Sequence, residues 1–335
     1  MVLASGAGAE TVRVATFAAP LGRAGPGLML RDLGRGDAQI DAVADITAFA
    51  DPDILLLTDV DYDLDHLGLT ALAARLDYPH HFALPPNTGV PTGLDLDGNG
   101  RLEEARDAQG YGRFSGDSGM AILSRWPIDA AAVQDHSALL WRDLPGASLP
   151  GTLWSEEIAA VQRLSSTGHW VVPVLAPGGA VTLLAWSATP PVFDGPEDRN
   201  GLRNRDELRF WSHLLDDGVP EGAVVLGNAN LDPVDGEGYP EAMATFLADP
   251  RLVDPRPASA GGRAAADPDH RGDPAHDTAD WETEGPGNLR VSYVLPSRAF
   301  TVLDAGVVWP ADGDPLAQAV QDAGPHRLVW VDLHR

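Results

Sequence analysis

The run Ile54-Leu55-Leu56-Leu57, set directly behind the breaker Asp51-Pro52, is the feature that most narrows the fold. Four aliphatic side chains in succession leave no polar face, so both sides of the segment must be covered. A run this short, following a residue held out of the helical region by the next proline, suits a buried central strand. Such a strand needs neighbours at both edges and a layer on each face. A chain of 335 residues is long enough to supply that core.

The remaining pattern provides the neighbours. Val12–Phe17 reads as an opening strand, and Asp37 is placed to cap a helix through about Ala50, with Ile40, Val43, Ala44 and Phe49 roughly on one face. A helix around Leu67–Leu76 follows, then a long irregular stretch from about Pro79 to Gly116 and a strand at Gly119–Ser124. Ser155, with Glu156 and Glu157 behind it, opens a short helix to about Leu164. Trp170–Leu175 and Val181–Trp186 flank Pro177-Gly178-Gly179 as a hairpin, Asn204–Leu215 is an amphipathic helix, and Ala223–Leu226 is a short strand. Val291–Leu295, Phe300–Val308 and Leu328–Leu333 complete the strand set. Hairpins mixed with strand–helix alternation predict an α/β class fold, a layered sandwich and not a purely parallel sheet. Residues 1–10 read as a disordered tail and 11–335 as a single domain; the Pro-, Gly-, Ala- and Asp-rich stretch at about 255–275 reads as a mobile loop.

Composition excludes several function classes. The net charge is −26 and every basic residue is an arginine. A strongly anionic surface repels phosphate backbones, so non-specific nucleic-acid binding loses its main driving force, and no run of basic residues marks a compensating groove. The absence of cysteine excludes disulfides, thiolate metal sites and cysteine nucleophiles. No apolar run approaches the roughly 20 residues of a membrane span, and the start of the chain does not read as a signal peptide.

Four ordered blocks carry a family resemblance: Thr189-Pro190-Pro191 through Asp198-Arg199-Asn200-Gly201, then Leu226-Gly227-Asn228-Ala229-Asn230, Tyr293-Val294-Leu295-Pro296-Ser297, and His326-Arg327-Leu328-Val329-Trp330-Val331-Asp332. Together they closely resemble the endonuclease/exonuclease/phosphatase superfamily, in particular its long bacterial branch of secreted-type proteins. The resemblance implies a DNase I-like four-layer α/β sandwich, two packed mixed sheets flanked by helices, with the active site where strand ends meet. It also implies metal-dependent phosphate-ester hydrolysis and favours a periplasmic or extracellular location.

At the positions where the resemblance places catalytic groups, this sequence departs from the pattern. Ala18 stands where an Asn helps hold a metal, Asp59 where a Glu is the ligand, and Ser187 where a His stabilises the phosphate. Asn228 replaces the Asp that orients water, although Asn230 is kept. Ser292 replaces the Asp that orients the catalytic His, and Pro325 replaces an Asp ligand beside the retained His326. Ala18 and Pro325 offer no side-chain donor or acceptor, Asn228 is neutral, and Ser292 cannot stabilise an imidazolium. One carboxylate with amides is a poor cage for Mg²⁺ or Mn²⁺. The expectation is therefore a pseudoenzyme with a vestigial site of Asp59, Asn228, Asn230 and His326, catalytic Mg²⁺ or Mn²⁺ being lost. The alternative is an active metal-dependent phosphoesterase on a rearranged site, with Asp61 as the added ligand.

Two further segments carry chemistry. Asp194 through Glu207 is the most polar ordered block, read either as a helix start with Arg–Glu surface pairs or as an anion or sugar subsite of Arg199, Asn200, Arg203 and Asn204. Asp95-Leu96-Asp97-Gly98-Asn99-Gly100-Arg101 resembles the start of a calcium loop, with oxygen side chains at alternate positions and then a turn glycine. Arg106 occupies the twelfth position where a bidentate acid is usual, so Asp107 is expected to complete a structural Ca²⁺ set of Asp95, Asp97, Asn99, Arg101 and Asp107. The partner implied is an unknown ligand or protein binding the old cleft.

Overall fold

The computed structural model describes residues 11–151, 154–281 and 285–335, so the expected tail at 1–10 lies outside the described residues. The strands are β1 Val12–Phe17, β2 Ile54–Val60, β3 His80–Phe82, β4 Gly119–Ser124, β5 Gln134–Asp135, β6 Gly168–Val174, β7 Val181–Ser187, β8 Ala223–Asn228, β9 Ala279–Asp280, β10 Asn288–Leu289, β11 Ser292–Pro296, β12 Thr301–Val307 and β13 Val329–His334. The helices are α1 Leu28–Leu33, α2 Ala38–Ala50, α3 Leu67–Arg75, α4 Glu156–Ala159, α5 Arg199–Asp217, α6 Pro240–Leu247, α7 Ala260–Ala264 and α8 Ala317–Ala323.

Two mixed sheets form the centre, one in the order β12-β13-β1-β2-β4-β3 and the other β11-β8-β7-β6-β5. The aliphatic run lies inside the first: β2 pairs parallel with β1 and antiparallel with β4, and Ile54, Leu55, Leu56 and Leu57 are all fully buried. One core joins the facing sheets, taking Val14 and Leu56 from the first and Val172, Leu183, Val224 and Val294 from the second. A second core lies on the outer face of the second sheet, where Leu184, Trp186 and Val225 meet Leu208 and Trp211 of α5 and Phe246 of α6. The period-two alternation along β7 and β8 thus sorts Leu183 and Val224 inward and Leu184 and Val225 outward.

Most expected elements appear within a residue or two. Asp37 caps α2 as predicted, its carboxylate accepting from the amides of Gln39 and Ile40. Phe49, by contrast, is 67% exposed and does not join the buried face of that helix. The helix behind Ser155 is only four residues long, although the Ser155 hydroxyl does accept from the Ile158 amide. α5 starts at Arg199, five residues ahead of the expected Asn204. The 255–275 stretch is not loop throughout: α7 is capped by Ser259, and Pro274–His276 form a 3₁₀ turn capped by Asp273.

Candidate functional site: a cavity at the strand ends

Ser187, Asn228 and Ser292 sit side by side at the ends of three adjacent strands, Ser187 opposite Asn228 and Asn228 opposite Ser292. Each shares strand parity with residues of the inter-sheet core, Leu183 on β7, Val224 on β8 and Val294 on β11, so all three belong to the inward-facing set. On the facing sheet, Ala18 follows β1, Asp59 lies at the end of β2, and His326 precedes β13. The space between is a cavity of about 690 Å³ lined by Ala18, Asp59, Ser187, Asn228, Asn230 and His326 among others. Six of the residues singled out in the sequence thus line one cavity, whereas Ser292 and Pro325 are not among its lining residues.

The chemistry of those residues is weak for hydrolysis. Asp59 sits at a register shift in the β2–β4 pairing with φ 64°, which turns the strand end toward the loop at Gly22. Burial raises its pKa, opposed by the neighbouring Ser118 hydroxyl. Asn228 Nδ2 donates to Asn230 Oδ1 at 3.1 Å, and Asn230 Nδ2 donates to the Ala188 carbonyl at 2.8 Å, so the pair's amides are engaged with each other and the backbone. The buried atoms Thr16 Oγ1, Asn228 Oδ1, Ser292 Oγ and His326 Nδ1 have no hydrogen-bond partner among the described residues. An orphaned Nδ1 leaves the imidazole tautomer unfixed. Burial, followed by the Arg327 charge, pushes the His326 pKa down to about 4, and Trp281 packs edge-on against its ring at 5.1 Å.

Asp61 is not among the residues that line the cavity, but it lies near Asp59 and Asp117, and burial together with their charges pushes its pKa up to about 6. Its two oxygens accept from the amides of Arg23 and Ser118 at 3.0 and 3.3 Å, tying two loops together behind the wall residue Ser118. The missed residue is Asp117, which lines the cavity with Asp59 and pairs with Arg113 at 3.0 Å. Its sequence setting, Gly116-Asp117-Ser118-Gly119, reads as an ordinary turn and carries no spacing signal. The donors fit a catalytic divalent cation poorly: beyond Asp59, the old ligand positions offer a methyl, a proline ring and an amide already hydrogen-bonded to its neighbour.

The polar block on α5 divides. Arg203 is buried, and donates through Nε to the Leu164 carbonyl and through Nη2 to those of Gln109, Arg163 and Ser165. Burial lowers its pKa to about 10, so it stays cationic at neutral pH. Asn204 donates to the carbonyls of Thr189 and Ala229 and does not line the cavity. Fully buried Glu207 accepts from the Ser166 amide and hydroxyl and from the Thr189 amide. These side chains satisfy backbone groups of the irregular loops that floor the cleft, where no sheet ladder exists to do so. The expected surface Arg–Glu pairs and the Asn204 ligand role are thus replaced by buried clamps. Asn200 lines the cavity but spends its amide on the Val192 carbonyl, whereas Arg199 lines it with no hydrogen bond or ion pair among the described residues.

Arg106, Arg113, Arg199 and Arg203 all border this one cavity. Four arginines thus face one cavity, with Asp59 and Asp117 on the same wall, a grouping that no run of basic residues in the sequence marks. The four lie in two segments far apart in sequence, and only the packing of α5 against the 105–117 loop unites them.

The acidic loop folds much as its pattern implies. The Asp95 carboxylate accepts from the amides of Gly98, Asn99 and Gly100, and Gly100 takes φ 82°. Oxygens of Asp95, Asp97 and Asp107 lie within 4.8 Å of one another. Asp107 is buried, with its oxygens accepting from the Leu96 and Glu104 amides. Asn99 and Arg101 instead turn their side chains to Glu104.

The sequence matches the model of the Endonuclease/Exonuclease/phosphatase family over residues 14–325. Among solved structures, the chain is similar to an endonuclease/exonuclease/phosphatase from Beutenbergia cavernae at 19% identity and a TM-score of 0.56, covering 97% of this chain and 71% of that one. It is similar to sphingomyelinase C from Streptomyces griseocarneus at 15% identity and 0.53, covering 96% and 99%, and to a mannosyl-6-phosphatase from Bacteroides thetaiotaomicron at 14% and 0.50, with the same coverage. No curated protein matches. Among the described residues no helix is long and apolar enough to cross a membrane. With the family model spanning nearly the whole chain and the DNase I-like sandwich in place, the chain belongs to the Endonuclease/Exonuclease/phosphatase family.

Proposed function

We propose that this chain is a non-hydrolytic member of its family, a pseudoenzyme that acts by binding a ligand or protein partner in the cavity at its strand ends. The observation that carries this reading is the state of the residual general base. His326 Nδ1 has no partner among the described residues, the Ser292 hydroxyl is likewise orphaned, and burial holds the imidazole neutral down to about pH 4. A base needs an orienting partner and a pKa near the working pH, and this one has neither. Single losses of such groups cost on the order of a hundredfold to ten-thousandfold in rate, and Ala18, Asn228 and Pro325 remove further groups of the same unit. The test is turnover of bis(4-nitrophenyl) phosphate and 4-nitrophenyl phosphate with Mg²⁺, Mn²⁺ or Ca²⁺. Rates equal to the metal-only background are expected; turnover abolished by His326→Ala would overturn the reading.

A second reading, an active phosphoesterase on a rearranged site, is favoured by Asp117, which adds a second carboxylate to Asp59 on the cavity wall. Loss of measurable turnover in Asp117→Asn would support it. The same proposal assigns structural Ca²⁺ to Asp95, Asp97 and Asp107, supported by the close approach of their oxygens and the turn at Gly100. Chelation is expected to lower the melting temperature of the wild type but not of Asp97→Ala; an unchanged melting temperature in the wild type removes that site. Family likeness favours a periplasmic or extracellular location, which fractionation of the producing cell would test.

A further inference from the structure

The cavity carries more than a vestige of catalysis, because its arginines and its rim point to a ligand class. We propose that the cleft takes an organic anion bearing a ring, with the anionic group between Arg199 and Arg203 and the ring against Phe193 and Tyr111. This rests on the reading that the cleft binds without hydrolysing.

The first observation is the state of the two arginines. The side chains of Arg35, Arg106, Arg199 and Arg263 alone among the arginines make no hydrogen bond, ion pair or ring contact with the described residues, and of these only Arg199 is not exposed. Burial lowers the Arg199 pKa, and although the charges of Glu197 and Asp194 oppose that, no carboxylate among the described residues pairs with it directly. Arg203 follows one helical turn later on the same face of α5, is 7% exposed, lines the same cavity, and has no carboxylate of the described residues within ion-pair distance. Its Nη1 makes no hydrogen bond among the described residues. The nearest acid on that face, Glu207, already spends its oxygens on Ser166 and Thr189. Like charges four residues apart on a helix destabilise it, and after burial and the opposing Glu207 charge, Arg199 further disfavours the charge on Arg203. An anion seated between two guanidinium forks reverses that repulsion into two charge-assisted contacts. The Asn228 Oδ1 acceptor, in a residue 6% exposed on the cavity wall, also lacks a partner and suits a ligand hydroxyl or N–H.

The second observation is independent of charge. Phe193 lines the cavity, is 78% exposed, and adopts φ 69°, a left-handed backbone that an aromatic residue rarely takes. Tyr111, from the separate 108–116 loop, also lines it and is 69% exposed. Two aromatic rings left open to solvent on one cavity are unrepaid by packing within the chain, and they offer flat apolar faces to a ligand ring. A volume of about 690 Å³ accommodates such a molecule. Arginine recognition of the anion needs no divalent cation, which suits a site whose metal-ligand positions hold Ala18, Asn228 and Pro325.

The test is calorimetric titration of the full chain in EDTA with phenylphosphonate, methylphosphonate and benzoate. Phenylphosphonate cannot be hydrolysed, methylphosphonate keeps the anion without the ring, and benzoate exchanges the phosphonate for a carboxylate. Phenylphosphonate is expected to bind at least tenfold more tightly than methylphosphonate, with Arg199→Gln lowering its affinity about tenfold or more and Phe193→Ala severalfold. The comparison with benzoate decides which anion the cleft prefers. Equal affinity for the two phosphonates, indifference to Arg199→Gln, or no heat with phenylphosphonate up to 10 mM each overturns the proposal. Turnover of 4-nitrophenyl phosphate, measured alongside with Mg²⁺, sinks the non-hydrolytic reading separately and leaves the binding result standing on its own.

Discussion

Protonating His326 is predicted to unfold the protein preferentially in mild acid, and the size of the effect follows from its surroundings. Burial against Trp281, with the Arg327 charge adjacent, holds the imidazole pKa at about 4 against 6.5 for the free side chain. Because the folded pKa is the lower one, the unfolded chain binds the proton first as pH falls. The native state therefore suffers no penalty above pH 6.5, loses stability between 6.5 and 4, and levels off below that window. The difference in pKa sets a ceiling of about 3 kcal/mol, of which about 2.5 kcal/mol is already lost at pH 4.5. Urea denaturation of wild type and His326→Gln at pH 7.5 and pH 4.5 isolates this contribution, since the carboxylates and the buried His169 titrate alike in both proteins. The wild type should lose about 2 kcal/mol more than the variant between the two pH values. Equal losses, or an NMR titration placing the His326 pKa at 6.5 or above, would mean that the imidazole has a stabilising partner and is poised as a base after all.

Other consequences are read from single positions. Ser292 is fully buried with an unpaired hydroxyl, so Ser292→Ala should be neutral or stabilise the fold by about 1 kcal/mol, measured by thermal denaturation. A loss above 1 kcal/mol would reveal a partner for that hydroxyl. Burial, with Asp232, Asp235 and Asp273 nearby, pushes the Asp277 pKa up to about 7. A raised carboxyl pKa means that stability is gained as pH falls from about 7 toward the unfolded value, so Asp277→Asn should stabilise the protein at pH 8, by about 2 kcal/mol, and little at pH 4. A variant less stable than wild type at pH 8 would contradict this. Arg203→Met should cost about 2 kcal/mol or more, because it strands the Leu164 carbonyl and leaves those of Gln109 and Ser165 with only the Gln162 and Asn87 amides. A cost under 1 kcal/mol in chemical denaturation would show that the clamp is dispensable.

The fold was largely legible because its signals are local. The aliphatic run at Ile54–Leu57, the Asp37 cap and the Pro-Gly-Gly hairpin each follow from a few adjacent residues, and each appears as expected. Phe49 misled because a period estimated over thirteen residues does not fix which flank of a helix stays covered. At the cleft, the residues standing at motif positions were found, since the strands that end in Ser187, Asn228 and Ser292 carry them into register. What local pattern could not reveal were groups joined only by packing: Asp117 beside Asp59, Trp281 over His326, and the arginines of two distant segments around one cavity. The role of Arg203 and Glu207 was hidden for the same reason. Charged residues near a helix start usually face solvent, and only the loops packed over α5 turn these into buried clamps.

The central claim is that the old catalytic pocket no longer holds a divalent cation. The most direct measurement is Mn²⁺ binding followed by electron paramagnetic resonance in an Asp97→Ala background, which removes the acidic loop from the count. No bound Mn²⁺ sensitive to Asp59→Asn is predicted at millimolar metal. One equivalent of tightly bound Mn²⁺, released by that substitution, would contradict the account.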